Sequence, residues 1–139
     1  MKIAIIKLSA LGDIVHAMIV LQFINKQYPK SEVDWFVEKR FKGVLENNPH
    51  INQIQQINLK SAKELKSLAK KMGISAKDFI RSNESIFTEL DLKPYLDNDA
   101  ILYKHMSENP KLIERPIVVK GEKAVLGRPP EKVRDFLIS

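Results

Sequence analysis

With 139 residues, 44% of them hydrophobic, the chain is long enough to form one compact domain, which we expect to span residues 1–139. It contains no cysteine, which excludes disulfides, thiolate metal sites and thiol catalysis. The net charge of +6 comes from lysines interspersed with acidic residues, which argues against a nucleic-acid interface. Neither a ~20-residue apolar run nor a signal peptide is found, so we expect a cytoplasmic protein without a membrane span.

The first 60 residues predict alternating strands and helices. A nearly continuous apolar run, Ile3 to Leu8, is typical of a strand buried on both faces. From Ile14, apolar residues recur at helical spacing until Tyr28. The elements predicted next are a strand over Val33 to Val37, a short helix around Phe41 to Asn47, and a weaker strand marked by Ile51, Ile54 and Ile57. This order implies parallel strands joined by right-handed crossovers.

The turn after the first strand, Ser9-Ala10-Leu11-Gly12-Asp13, is where chemistry is expected. A glycine-containing loop that opens a helix points backbone N–H groups and the helix dipole at whatever lies above it. Asp13 can serve there as a base or as a helix cap, and the isolated pattern favours the cap. His16 has no second histidine or carboxylate paired with it in sequence, so no metal site is predicted.

Three separated motifs in this half resemble the N-terminus of the lipopolysaccharide heptosyltransferase I family. They are Lys-Leu-Ser-Ala-Leu-Gly-Asp-Ile-Val-His (7–16), Asp-Trp-Phe-Val-Glu (34–38) and Asn-Asn-Pro-His (47–50). The resemblance implies a Rossmann-like domain that holds a lipid acceptor, with Asp13 as the general base and the loop from Ser9 to Gly12 lining the acceptor site. It ends near residue 60, before the rest of that domain and the nucleotide-sugar domain. Glycosyl transfer needs donor and acceptor held together, so we do not expect it here.

Helices are predicted from residue 61 onward. The capping-box sequence Ser-Ala-Lys-Glu (61–64) opens a helix that ends at Gly73. The segment Ser-Ala-Lys-Asp (75–78) starts a further short helix. Asp97 is predicted to cap the next helix, which runs to about Ser107.

The last part of the chain predicts a β-hairpin and a final helix. Pro-Ile-Val-Val (116–119) and Ala-Val-Leu (124–126) flank the turn Lys-Gly-Glu-Lys (120–123). Pro-Pro-Glu (129–131) then opens the helix.

Arginines stand at the ends of three predicted elements, at positions 81, 115 and 128. Guanidinium groups suit tetrahedral oxyanions, and the convergence of several would form an anion site. From the residues alone, three independent surface arginines are favoured over such a site.

A second resemblance, over residues 61–139, is to the C-terminal part of the arsenate reductase family, which has a thioredoxin-like fold. Its motifs are Met-Gly-Ile-Ser (72–75), Phe-Ile-Arg-Ser-Asn (79–83), Asn109 to Val119, and Gly-Arg-Pro-Pro-Glu (127–131). The resemblance implies that Arg81, Arg115 and Arg128 bind the oxyanion and that the bond before Pro116 is cis. The family's nucleophilic cysteine lies in the loop after the first strand. Because this chain has no cysteine, thiol-based reduction of arsenate is excluded.

Both resembled architectures begin strand–loop–helix–strand, so the first half can replace the reductase's missing unit. We therefore predict a three-layer α/β domain, a thioredoxin-like and Rossmann-like hybrid with a seam near residues 58–61. Its mixed five-stranded sheet has the order 3-2-1-4-5, with strand 4 antiparallel. The loop from Ser9 to Asp13 then faces the three arginines and forms a site for a small oxyanion such as phosphate, sulfate or arsenate. Asp13 counts against this site, since its carboxylate repels the ligand or pairs with an arginine.

The favoured function is a non-catalytic hybrid domain, recombined or engineered, with at most residual oxyanion binding and no cofactor. Two alternatives stay open. One is a redox-inactive, oxyanion-binding member of the arsenate reductase-like family. The other is a truncated heptosyltransferase fragment that binds an acceptor through Ser9, Gly12 and Asp13. An enzyme is not favoured, because the cysteine and the donor domain are both missing, and the sequence does not predict an oligomeric state.

Overall fold

The computed structural model describes residues 1–7, 11–56 and 61–139. The chain divides into two compact units. The first comprises Met1–Ile57 and Arg115–Ser139, and the second comprises Asn58–Glu114. The first unit therefore contains sequence from both resembled families. Residues 58–60 of the predicted seam lie outside the described residues, and the seam stays a prediction.

The first unit is built on a mixed five-stranded sheet. Its strands are β1 (Lys2–Ile6), β2 (Glu32–Val37), β3 (Gln53–Gln56), β4 (Ile117–Lys120) and β5 (Lys123–Leu126). Their order is β3-β2-β1-β4-β5, which confirms the predicted topology. The pairs β1–β2 and β2–β3 are parallel, and β4 is antiparallel to both of its neighbours.

The described helices are α1 (Leu11–Gln27), α2 (Lys42–Leu45), α3 (Ala62–Met72), α4 (Ser85–Glu89), α5 (Asp99–Glu108) and α6 (Glu131–Ile138). Of these, α1, α2 and α6 belong to the first unit. The apolar stripe predicted on α1 is buried, with Ile14 and Ile24 fully inaccessible to solvent. They join the same hydrophobic cluster as Ile5 of the central strand β1 and Trp35 of β2. None of the described helices has the length and apolarity needed to cross a membrane.

The second unit contains α3, α4 and α5, and two of its predicted caps are wrong. The Ser61 side chain makes no capping hydrogen bond; its carbonyl oxygen instead accepts from the Glu64 N–H at 3.1 Å. Asn98, not Asp97, caps α5, because its side-chain oxygen accepts from the Ile101 N–H at 3.2 Å. The predicted end of α3 is confirmed, since Gly73 adopts the left-handed conformation that favours glycine there.

The predicted hairpin of β4 and β5 is confirmed. At the end away from its turn, Gly127 follows β5 and packs closely against Pro116. The Gly127 N–H donates to the Pro116 carbonyl at 2.8 Å. A Cβ at Gly127 would lie 2.8 Å from Cγ of the Pro116 ring and 3.4 Å from Val133 Cγ2. The hairpin end therefore packs too closely for any side chain at position 127.

We expect Gly127→Ala to lower the free energy of unfolding by about 1–3 kcal/mol, the usual cost of overpacking. The proline ring is bonded to the backbone at both N and Cα, so it cannot rotate away from the added methyl group. Urea denaturation measures the change. Gly43→Ala is the matched control in the same unit, because the nearest atom to a Cβ there is 4.0 Å away. Equal midpoints for the two variants would contradict the packing argument.

Candidate functional site

Strand register brings three basic residues of the first unit to one edge of its sheet. Lys7 directly follows β1, whose last residue, Ile6, pairs with Ile117 of the antiparallel strand β4. Arg115 precedes β4 by two residues and so lies at the carboxyl end of β1. Ile117 also pairs with Leu126, the last residue of β5, so Arg128 emerges at this same edge. The chain after β1 returns as α1, which carries Asp13 in its first turn.

Lys7 and Asp13 form an ion pair at this edge. The Lys7 Nζ donates to Asp13 Oδ2 at 2.9 Å. The lysine side chain is 3% exposed and the aspartate side chain 37% exposed. The backbone of Lys7 is held by β2: its N–H donates to the Phe36 carbonyl at 3.1 Å, and its carbonyl accepts from Trp35 Nε1 at 3.4 Å. The ammonium group is thus fixed inside the first unit with a carboxylate beside it.

Burial lowers the pKa of Lys7 below its ordinary value of 10.5. The hydrogen bond to Asp13 acts in the opposite direction, and the positive charges of Arg115 and Arg128 add to the lowering. Lys77 of the second unit makes a similar bond, 2.8 Å to Asp97, yet its pKa is raised. The Lys77 side chain is 51% exposed. The pKa of Lys7 is lowered, and that of Lys77 is not, because Lys7 is buried and lies near Arg115 and Arg128.

Arg115 and Arg128 differ in exposure. Arg115 is buried, with 5% of its surface accessible. The Arg128 side chain is 52% exposed, and its Nη2 lies 3.9 Å from Asp13 Oδ1. The peptide bonds that follow both arginines, to Pro116 and Pro129, are cis; only the first was implied by the resemblance. Asp13 therefore has cations on two sides, Lys7 and Arg128.

Arg81 lies in the second unit, where carboxylates of that unit engage its guanidinium group. Its Nη2 is 2.7 Å from Glu84 Oε1, and its Nε is 4.0 Å from Glu114 Oε2. Its backbone N–H donates to the Leu112 carbonyl at 2.7 Å. The predicted anion-binding role of Arg81 stays a prediction.

The remaining predicted loop residues contribute less. Ser9 lies outside the described residues. Gly12 falls within α1, and a Cβ there would meet no atom within 4 Å, so close packing does not require the glycine. His16 is exposed on α1. Across the described ranges, no group of three or more histidine or acidic side chains could hold a metal ion.

Lys7 is the site residue that sequence reasoning missed. The signal was a single charged residue in the otherwise apolar run from Ile3 to Leu8. A lysine at the end of a strand buried on both faces needs a counter-charge, because isolated buried charges are costly. The nearest downstream carboxylate is Asp13, its observed partner.

The lowered pKa of Lys7 predicts a pH-dependent stability. Between the folded pKa and 10.5, the unfolded chain binds more protons than the folded protein, so the free energy of unfolding gains a positive slope with pH. Lys7→Met should lack this slope. Denaturation across the alkaline range below 10.5 measures it, with Lys77→Met as the control. The raised pKa of Lys77 places its effect above that range. An unchanged slope in Lys7→Met would refute the assignment.

Two groups of known proteins share sequence with the chain. A lipopolysaccharide heptosyltransferase 1 of Campylobacter coli is 50% identical over 68 residues, which cover 49% of this chain and 20% of that protein. An arsenate reductase of Haemophilus influenzae is 44% identical over 78 residues, covering 55% of this chain and 67% of the reductase. The chain thus spans a fifth of the heptosyltransferase and about two thirds of the reductase.

Solved structures match the chain over nearly its whole length. An arsenate reductase from Vibrio cholerae has a TM-score of 0.66 at 27% identity, covering 97% of each chain. An arsenate reductase (ArsC) related protein from Brucella melitensis has a TM-score of 0.59 at 14% identity, covering 99% of this chain and 95% of that one; it bears on the fold alone. The predicted thioredoxin-like α/β fold is confirmed. The ArsC family profile matches residues 38–136, and the chain therefore belongs to the ArsC family.

Proposed function

We propose that this member of the ArsC family binds a small tetrahedral oxyanion without reducing it through a thiol of its own. The observation that carries the proposal is the convergence of Lys7, Arg115 and Arg128 at one sheet edge of the first unit. Ammonium and guanidinium groups are hydrogen-bond donors only, and they bind oxyanions through charge-assisted bonds. The arsenate reductases among the relatives support an oxyanion as the ligand class.

Asp13 sets the conditions under which an oxyanion binds. Its carboxylate already bonds Lys7 at 2.9 Å and lies 3.9 Å from Arg128. An incoming anion competes with this carboxylate for the same cations. We therefore expect weak, reversible binding, unlike the covalent chemistry that a cysteine nucleophile provides.

A hybrid origin from the two resembled families is also part of this proposal. It is supported by the heptosyltransferase similarity, which covers about half of this chain. The ArsC match begins at residue 38, before the predicted seam near residues 58–61. The same heptosyltransferase similarity favours a second candidate function, an acceptor-binding fragment that uses Asp13. Arg115→Ala separates the two candidates, because it weakens oxyanion binding and leaves acceptor binding by the α1 end intact.

Isothermal titration with phosphate, arsenate and sulfate up to the millimolar range tests oxyanion binding. We expect Arg115→Ala and Arg128→Ala each to weaken binding by about ten-fold or more, since each removes a charge-assisted donor. Arg134→Ala is the matched control, because this exposed arginine of α6 pairs with its neighbour Asp135 at 3.1 Å. Circular dichroism checks that each variant folds. No binding of any of the three anions to the parent protein would refute the proposed function.

With arsenate and excess glutathione, we expect no arsenite above the protein-free blank. The chain has no cysteine with which to form a thiol–arsenic intermediate. The Haemophilus influenzae arsenate reductase serves as the positive control in the same assay. Arsenite formation that scales with the concentration of this chain would contradict the redox-inactive assignment.

A further inference from the structure

We propose that Asp13 makes this site selective for oxyanions that carry a hydroxyl group, namely hydrogen phosphate and hydrogen arsenate, over sulfate. The inference rests on the proposed oxyanion binding and narrows its ligand class. It follows from the groups that the described residues bring to the site, which include three donor-only cations and the acceptor-only carboxylate of Asp13.

The Asp13 carboxylate is placed where a bound oxyanion must meet it. Its Oδ2 accepts from Lys7 Nζ at 2.9 Å, and its Oδ1 lies 3.9 Å from Arg128 Nη2. An oxyanion that binds the exposed guanidinium of Arg128 on this side therefore also contacts the Asp13 carboxylate. The Asp13 side chain is 37% exposed, so a ligand can approach it from solvent.

Holding Lys7 does not exhaust the hydrogen-bonding capacity of Asp13. An ionised carboxylate offers about four lone-pair positions, and the Asp13 side chain is partly exposed to solvent. The hydroxyl of a protonated oxyanion can donate to a position that faces solvent. Asp13 then keeps its role as the counter-charge of Lys7 while it bonds the ligand.

Sulfate cannot make this bond. Hydrogen phosphate and sulfate are both tetrahedral dianions of similar size, but only the phosphate has an O–H to donate. A sulfate oxygen in the same place would lie against a carboxylate oxygen, with like charges in contact and no proton between them. Sites built to hydrogen-bond a ligand hydroxyl discriminate strongly against analogues without it. We expect the affinity for phosphate and arsenate to exceed that for sulfate by about ten-fold or more.

The first test is titration of the unmodified protein with phosphate, arsenate and sulfate at a mildly alkaline pH, where phosphate is the dianion. The expected result is phosphate and arsenate binding at least about ten-fold tighter than sulfate. Equal affinities would overturn the selectivity and leave the proposed oxyanion binding intact. Failure of all three anions to bind would overturn the proposed function itself.

The second test assigns the selectivity to Asp13. In Asp13→Asn, the amide can donate to a sulfate oxygen, so the ratio of phosphate to sulfate affinity should fall close to one. The double variant Lys7→Met with Asp13→Asn removes the buried ammonium along with its partner, which keeps the test available if Asp13→Asn does not fold. Its overall affinity is lower, but the ratio of the two affinities is the readout. Retention of the ratio in a folded variant that lacks the Asp13 carboxylate would overturn the assignment.

Discussion

The candidate site depends on one buried ammonium group. Lys7 follows the central strand β1, and its side chain is 3% exposed. Removal of an ammonium from water costs several kcal/mol unless a well-placed carboxylate and hydrogen bonds compensate for it. Asp13 supplies that carboxylate at 2.9 Å. Arg115 and Arg128 add positive charge around the same lysine, and the carboxylate opposes that charge.

This dependence restricts what Asp13 can do chemically. A general base takes up a proton during the reaction, and the heptosyltransferase resemblance assigns that role to Asp13. Protonation of this carboxylate would remove the counter-charge of Lys7 while the two arginines continue to oppose the ammonium. The bond to Lys7 therefore uses this carboxylate as a fixed acceptor, which is the role that the proposed oxyanion binding requires of it.

The sheet was predictable because its signals are local. A continuous apolar run marked β1, and two apolar segments around a glycine-containing turn marked the hairpin of β4 and β5. The strand order came from the two family resemblances, and the structure confirms it. The caps were less predictable, since Asp97 and Asn98 are both good capping residues and tertiary contacts decide between them. Asp97 instead pairs with Lys77 at 2.8 Å.

The charges of the site were only partly predictable, for a different reason. Arg115 and Arg128 were identified through a family motif, but their distance from Lys7 depends on register across β1, β4 and β5, three segments far apart in sequence. Lys7 was missed although its strand was predicted to be central and buried on both faces, where a lysine needs a partner. The same lysine on an edge strand would reach water and need none.

The pairing of Asp13 with these cations also determines what an oxyanion must do in order to bind. A cluster of cations that is partly buried is unfavourable by itself, since like charges repel and solvent cannot screen them fully. A carboxylate supplied by the chain reduces that penalty. The affinity for an external oxyanion is then the difference between its interactions and those that Asp13 already makes.

A ligand that displaces the carboxylate must replace the bond between Asp13 and Lys7 before it gains any binding free energy. A ligand that donates a proton to Asp13 keeps the bond to Lys7 and adds its own contacts to Arg115 and Arg128. The internal carboxylate thus favours protonated ligands, and it does so because it is required for the stability of the site itself.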